Sequence, residues 1–186
     1  MPKIGLPKMN LQRFFNRPVV MDASVLFDFY EINALYVLNA VFSRVYIPTA
    51  LMGEIVQDEQ LRQVKGQLDY EEIVFETAEA YELFNKLSRE KRMLSVNDRH
   101  LICTAYEKGF LCASNDRLVS KVCRELNIDN PRTLGILGCA SLMAILDKEK
   151  LVLMFNKIVS DECSSFLTIN SPAALDFARR LGIDPG

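Results

Sequence analysis

The stretch Ser95–Leu126, SVNDRHLICTAYEKGFLCASNDRLVSKVCREL, reads as helix, short strand, helix, with an acidic residue where each helix begins. Asp98 opens the first helix, whose apolar Leu101, Ile102, Ala105 and Tyr106 recur at helical spacing, and Gly109 closes it as a C-cap glycine does. Phe110–Ala113 is an apolar run too short for a helix and suited to a buried parallel strand. Ser114-Asn115-Asp116 then begins a second helix, carried by Leu118, Val119, Val122 and Leu126. In an open parallel sheet, chemistry gathers in the crevice beyond the carboxyl ends of the strands. Asp116 belongs at that edge, and Asp98 can reach it.

Upstream, Pro18–Met21 is a short apolar run followed by Asp22-Ala23-Ser24 and apolar Val25, Leu26 and Phe27: a strand, an acid at its carboxyl end, then a helix. Asn33–Phe42 has helical periodicity, Arg44–Ile47 is β-rich, and Pro48 fits the first position of a further helix with Leu51, Met52, Ile55 and Val56 on its apolar face. Glu54 points away from the centre of that face, so packing does not require it. Gln57–Asp69 is polar, Ile73–Phe75 reads as a short strand and Ala78–Leu87 as a helix, with Lys86–Arg92 as a mixed-charge connection. Downstream lie a turn at Ile128–Arg132, an apolar helix at Thr133–Leu146, an amphipathic one at Lys148–Val159, and a last one opened by Ser171-Pro172. The alternation predicts a three-layer α/β/α sandwich with a central, mainly parallel sheet. It divides into a basic leader (1–17), a main domain (18–146) and a helical extension packed on it (147–186).

Composition sets the bounds. With 186 residues, 49% hydrophobic and 25% charged, the chain suits one soluble globular domain with an adequate core. A net charge of −2 excludes a globally basic nucleic-acid binder while leaving room for local basic patches. No apolar run reaches the roughly 18 residues of a membrane span, and Pro2, Gly5, Pro7 and Asn10 interrupt any signal-like start. The five cysteines are odd in number and lack C-x-x-C spacing, which predicts reduced, buried thiols in a cytoplasmic protein. The leader carries Lys3, Lys8, Arg13 and Arg17 without an acid, and reads either as a start docked through Phe14 and Phe15 or as an arm steering polyanions.

Four acids stand apart: Asp22, Glu54, Asp98 and Asp116. Singly, each has an ordinary role. Asp22 and Asp116 suit N-caps, Asp98 completes an S-x-x-D capping box with Ser95, and Glu54 suits a surface position. Together they fall around one crevice. Carboxylates about 4 Å apart repel by roughly 4 kcal/mol per pair at an effective dielectric of 20, so such a cluster requires a cation. Oxygen-only ligands select Mg²⁺ or Mn²⁺, and the matching chemistry is phosphodiester hydrolysis.

The series VVMDAS, IPTALMGEIV, SVNDRHLICTAYEKG and FLCASND resembles the PIN domain, especially toxins of the VapC type, over about Pro18–Ala144. Asp22 with Ser24, Glu54, Asp98, and Ser114 with Asp116 stand at the positions of that family's motifs. The resemblance implies a PIN-like sandwich and a metal-dependent endoribonuclease. Asp22, Glu54, Asp98 and Asp116 would hold Mg²⁺ or Mn²⁺, while the Ser24 and Ser114 hydroxyls orient carboxylates. It further implies an RNA substrate, a small antitoxin protein as partner, and a homodimer. The basic leader departs from short toxins of this type.

Arg99 and Arg117 each follow a proposed ligand, against the helix dipole, and read either as salt bridges to the neighbouring acids or, together with Lys121, as candidate contacts to RNA phosphates, Arg124 extending that surface. His100 is the only histidine and, two positions from Asp98, is expected to serve structure. Asp28, a turn beyond Ser24, suits a solvated helix face. A haloacid dehalogenase-like phosphatase is disfavoured because Ser24 stands where that family has a second Asp. A catalytically inactive PIN-like RNA- or protein-binding module is the alternative to the nuclease.

Overall fold

The computed structural model describes residues 10–56, 64–165 and 167–182; the side chains of residues 54–56 lie outside that description. The calls on Lys3, Lys8, residues 57–63 and the Glu54 side chain therefore fall outside the described residues. A 3-10 turn at Leu11–Phe14 leads into β1 (Pro18–Met21), α1 (Ala23–Glu31), α2 (Leu35–Val41), β2 (Arg44–Pro48), α3 (Thr49–Val56) and β3 (Tyr70–Ile73). There follow α4 (Ala78–Glu90), α5 (Val96–Lys108), β4 (Leu111–Ala113), α6 (Arg117–Glu125), α7 (Thr133–Leu142), α8 (Lys148–Ile158) and α9 (Pro172–Leu181).

The four strands are all parallel, in the order β3-β2-β1-β4. Strand side chains alternate between faces, and the core divides accordingly. Val19, Met21, Leu111 and Ala113 join the cluster built with α1, α2, α7 and α8, whereas Val20 and Cys112 join the one built with α4, α5 and α6. Two helical layers thus enclose the sheet. The chain runs from β1 outward to β3 and then crosses to β4 on the far side of β1, so the strand order reverses between β1 and β4. That reversal opens a crevice at their carboxyl ends.

Local chemistry sets the helix ends. Ser95 and Asp98 form the anticipated reciprocal capping box at 2.9 and 3.0 Å, and Gly109 closes α5 at φ 65°, where a glycine avoids the steric cost of a Cβ. Ser171 caps α9 ahead of Pro172.

Four boundaries differ from the sequence reading. The third strand is Tyr70–Ile73 rather than Ile73–Phe75, because an edge strand pairs on one side only and tolerates exposed Glu71 and Glu72; Arg44 meets Glu71 at 3.3 Å. The mixed-charge segment from Lys86 belongs to α4 as far as Glu90, and α7 stops at Leu142. Pro48 ends β2 instead of opening α3.

Leu11 and Phe14 are buried, and Arg13 and Arg17 both pair with Asp129, at 3.3 and 2.8 Å. The described part of the leader is therefore docked, with its two arginines engaged. All five cysteines are free and buried. No helix among the described residues is long and apolar enough to cross a membrane.

Glu107, near the end of α5, accepts hydrogen bonds from the backbone N–H groups of Glu76 and Thr77 at 2.7 and 2.5 Å and pairs with Lys108 at 2.6 Å. Burial opposes its charge, but Lys108 and the two N–H groups outweigh it and bring the carboxyl from 4.5 down to about 2. A depressed carboxylate contributes stability above its unfolded value and loses it as pH falls through the folded one. Glu107→Gln should therefore lower stability at neutral pH by about 1 kcal/mol, the size of a screened charge-assisted bond. Thermal melts should show the deficit shrinking between pH 4.5 and about 2.

Candidate active site

Asp22 follows β1, and its backbone N–H donates to the Ala113 carbonyl of β4 at 2.9 Å, so the two strand ends are locked side by side. It occupies the N-cap position of α1, yet its side chain makes no capping bond. Its Oδ2 instead accepts the Ser24 hydroxyl at 2.5 Å and the Ser114 hydroxyl at 3.1 Å. Ser114 is fully buried and its Oγ also accepts the Asp116 N–H at 3.2 Å, while Ser24 Oγ accepts the Asn115 N–H at 3.4 Å. Burial raises the Asp22 carboxyl above its usual range; the two serine bonds oppose this, and the nearby charge of Asp98 adds to it.

Asp116 caps α6, its Oδ1 accepting the N–H groups of Leu118 and Val119 at 2.7 and 2.8 Å. Asp98 is held in the capping box of α5. Glu54 stands on α3, with its side chain outside the described residues. The tight four-acid cluster anticipated from sequence is not drawn together among the described residues: no group of three or more His, Cys, Asp or Glu is placed to hold an ion. Asp98 and Asp116 are turned into cap bonds of their own helices, where each satisfies backbone donors and avoids the charge of Asp22. The donor chemistry nevertheless fits a hard divalent cation, since the acids offer only oxygen and Asp22 is a buried carboxyl whose ionised form a cation would favour.

A cleft of about 880 Å³ opens beside these groups, its wall including Asp22, Ser24, Asp116, Arg117 and Arg132. Arg99 is placed elsewhere: it donates to the Ser95 carbonyl at 3.1 Å, bonds to the Ser88 hydroxyl and lies over the Phe84 ring at 5.4 Å. Lys121 is exposed on α6 and does not line the cleft. His100 stacks on Phe75 and Phe84 at 5.3 and 5.0 Å, the structural place expected of it.

Asp28 is not on a solvated face. It is 4% exposed, its Oδ2 accepting Thr133 Oγ1 at 2.6 Å and Asn115 Nδ2 at 2.8 Å. Asn115 Oδ1 in turn accepts the Thr133 N–H at 3.2 Å, and the Asn115 carbonyl accepts Arg132 at 2.6 Å. Sequence reasoning missed Asn115, Arg132 and Thr133. The available signal was a hydroxyl at the head of an otherwise apolar helix.

A family model described as a PIN domain matches residues 18–160. Searches of curated proteins and of solved structures returned no match. The match covers well over half of the chain and spans β1, β4 and every acid discussed above. With its parallel sheet in the order β3-β2-β1-β4 and Asp22 at the β1–β4 reversal, this chain belongs to the PIN domain family.

Proposed function

We propose that the chain is a metal-dependent endoribonuclease that hydrolyses RNA phosphodiesters in the cleft at the carboxyl edge of β1 and β4. The observation that carries this reading is Asp22: a half-buried carboxylate held by two hydroxyls from different strand ends, close to a second negative charge, and open to a cleft. Protein interiors do not keep such a group without a task or a counter-charge. Asp22, Glu54, Asp98 and Asp116 would hold Mg²⁺ or Mn²⁺. When bound, such an ion supplies Lewis acidity toward a phosphoryl oxygen and charge neutralisation as the leaving oxygen departs.

The chain's own residues do the positioning. Ser24 and Ser114 each donate to Oδ2 of Asp22, which fixes the carboxylate beside the cleft it lines. Ser114 also fixes the Asp116 backbone, so the two acids keep a constant separation. Arg117 is the candidate contact to a substrate phosphate; Arg99 and Lys121, set apart from the cleft, contribute at most to a wider basic surface. By its resemblance to VapC-type proteins, the reading extends to the toxin of a toxin–antitoxin pair, with a small antitoxin and a homodimeric state. A second reading, an inert PIN-like binding module, draws support from the use of Asp98 and Asp116 as helix caps.

An RNA panel incubated with Mn²⁺ separates the two. Asp22→Asn and Asp116→Asn should each reduce cleavage at least about 100-fold, on the scale of losing a group that stabilises transition-state charge. Full cleavage by both variants would remove the mechanism, and no cleavage by the wild type would favour the binding module. Ion binding is read separately by thermal shift: saturation at 100 times Kd should stabilise the wild type by about 2.7 kcal/mol, an increment that Asp22→Asn should lose.

The Asp28 network yields its own outcome. Thr133→Val removes a donor from a buried carboxylate and should cost about 1–3 kcal/mol in denaturant unfolding. Cleavage should fall in the same variant, because the Asn115 side chain, in the turn between Ser114 and Asp116, loses the Thr133 hydroxyl and keeps only the backbone N–H at that position and Asp28.

A further inference from the structure

Two arginines enter the cleft from one side. Arg117 is the first residue of α6 and Arg132 immediately precedes α7, so both stand at helix N-termini, where the dipole disfavours a cation. Both line the cleft that holds Asp22. Arg117 is exposed and Arg132 half-buried. Among the described residues neither forms a salt bridge with a carboxylate; the one bond recorded for Arg132 goes to the Asn115 carbonyl at 2.6 Å. Burial first, and then the charge of Arg117, lowers the proton affinity of Arg132, with Asp116 offsetting part of this. Two guanidiniums thus line one cleft, neither ion-paired with a carboxylate among the described residues, with Asp116 at the start of α6 as the nearby acid.

The opposite wall comes from beyond the family match, which ends at residue 160. Ser164, Ser165, Ser171 and Pro172 line it. It is anchored to α1: Glu31 accepts the Ser164 N–H at 2.6 Å and bonds to its hydroxyl, while Ser165 bonds to Asp28. The extension therefore supplies part of the lining of a cleft that carries both acidic and basic side chains.

We propose that Arg117 and Arg132 form an anion subsite that seats a backbone phosphate of single-stranded RNA next to the carboxylate end of the cleft, against the wall formed by the C-terminal extension. Guanidinium forks match phosphate oxygens in pairs. A phosphodiester strand suits the mixed lining better than an acidic peptide does. It carries one charge per nucleotide, separated by neutral sugar and base, whereas clustered carboxylates would meet Asp22, Asp28, Glu31 and Asp116. The inference rests on reading this cleft as a nuclease site.

The test is binding of the full chain to fluorescein-labelled single-stranded RNA, followed by anisotropy over a salt series with Ca²⁺ present and RNA integrity checked on gels. A phosphate contact contributes about 0.7 to the slope of log K against log salt on a single strand. Arg117→Ala should lower that slope by about 0.7 and weaken binding about tenfold across sequences. Arg132→Ala should do the same, with Arg132→Lys restoring slope but only part of the affinity. Among the described residues the Arg117 side chain makes no hydrogen bond that its removal would break, so its variant keeps the experiment decisive should Arg132→Ala unfold. An unchanged slope in Arg117→Ala overturns the subsite, as does wild-type binding to polyglutamate but not to RNA. Cleavage followed in parallel separates the two readings. RNA cut by the wild type and not by Asp116→Asn, with salt slopes unmoved by the arginine variants, removes the subsite alone. RNA bound with the expected slopes and never cut removes the nuclease alone.

Discussion

The structure depends on how one half-buried carboxylate is stabilised where two strands end together. Parallel pairing sets Met21 beside Ala113, so the next residues, Asp22 and Ser114, meet across the sheet. The two turns then exchange hydroxyl bonds. Ser24 gives its proton to Asp22 and accepts the N–H of Asn115; Ser114 gives its proton to Asp22 and accepts the N–H of Asp116. Each serine is therefore satisfied as donor and acceptor at once. An unpaired charge at this depth is strongly unfavourable, and these bonds keep Asp22 fixed rather than buried and idle.

An outer ring holds that junction. Asp28 on α1, Asn115 in the turn after β4 and Thr133 at the head of α7 share one set of hydrogen bonds, with residues separated by up to 105 positions along the chain. The ring continues by packing. A Cβ added at Gly138 would fall 2.8 Å from the Leu11 side chain, so α7 and the N-terminal turn approach as closely as they do because no side chain intervenes. The docked leader thus presses on α7, α7 presents Thr133, and Thr133 sets Asn115 beside the acids. Of the two readings of the leader, a docked start and a polyanion-steering arm, its described part fits the first and serves as a strut for the site.

Much of this was legible. The S-x-x-D box, the glycine after α5, the short apolar strands and the order of acids all follow from local chemistry, and local chemistry governs caps and strand edges. What depends on partners far along the chain was not. Asp28 sits one turn from Ser24 and looks solvated until α7 covers it. Arg99 and Arg117 share the same pattern, an arginine after a helix-opening acid, yet their fates differ. α4 offers Arg99 a ring and a hydroxyl, whereas among the described residues no equivalent pair of partners stands beside Arg117. Of the four acids, Asp22 and Asp116 line one cleft, and how closely such groups approach is a tertiary quantity that spacing does not encode.

That distance turns on a competition that each acid faces. The carboxylates of Asp98 and Asp116 are N-terminal groups of helices, each worth about 1 kcal/mol to its helix as a cap, and a cation would have to share or replace those bonds. Sharing is feasible at Asp116, because both cap bonds go to Oδ1 and Oδ2 has no recorded hydrogen bond. Asparagine caps a helix as well as aspartate does but carries no charge, so Asp116→Asn separates the two roles that alanine would remove together. A helix start that doubles as a charged wall holds acids near a half-buried carboxylate. Each is held by its own backbone donors, at a distance where Asp22 feels the charge of Asp98 without sharing a site with it.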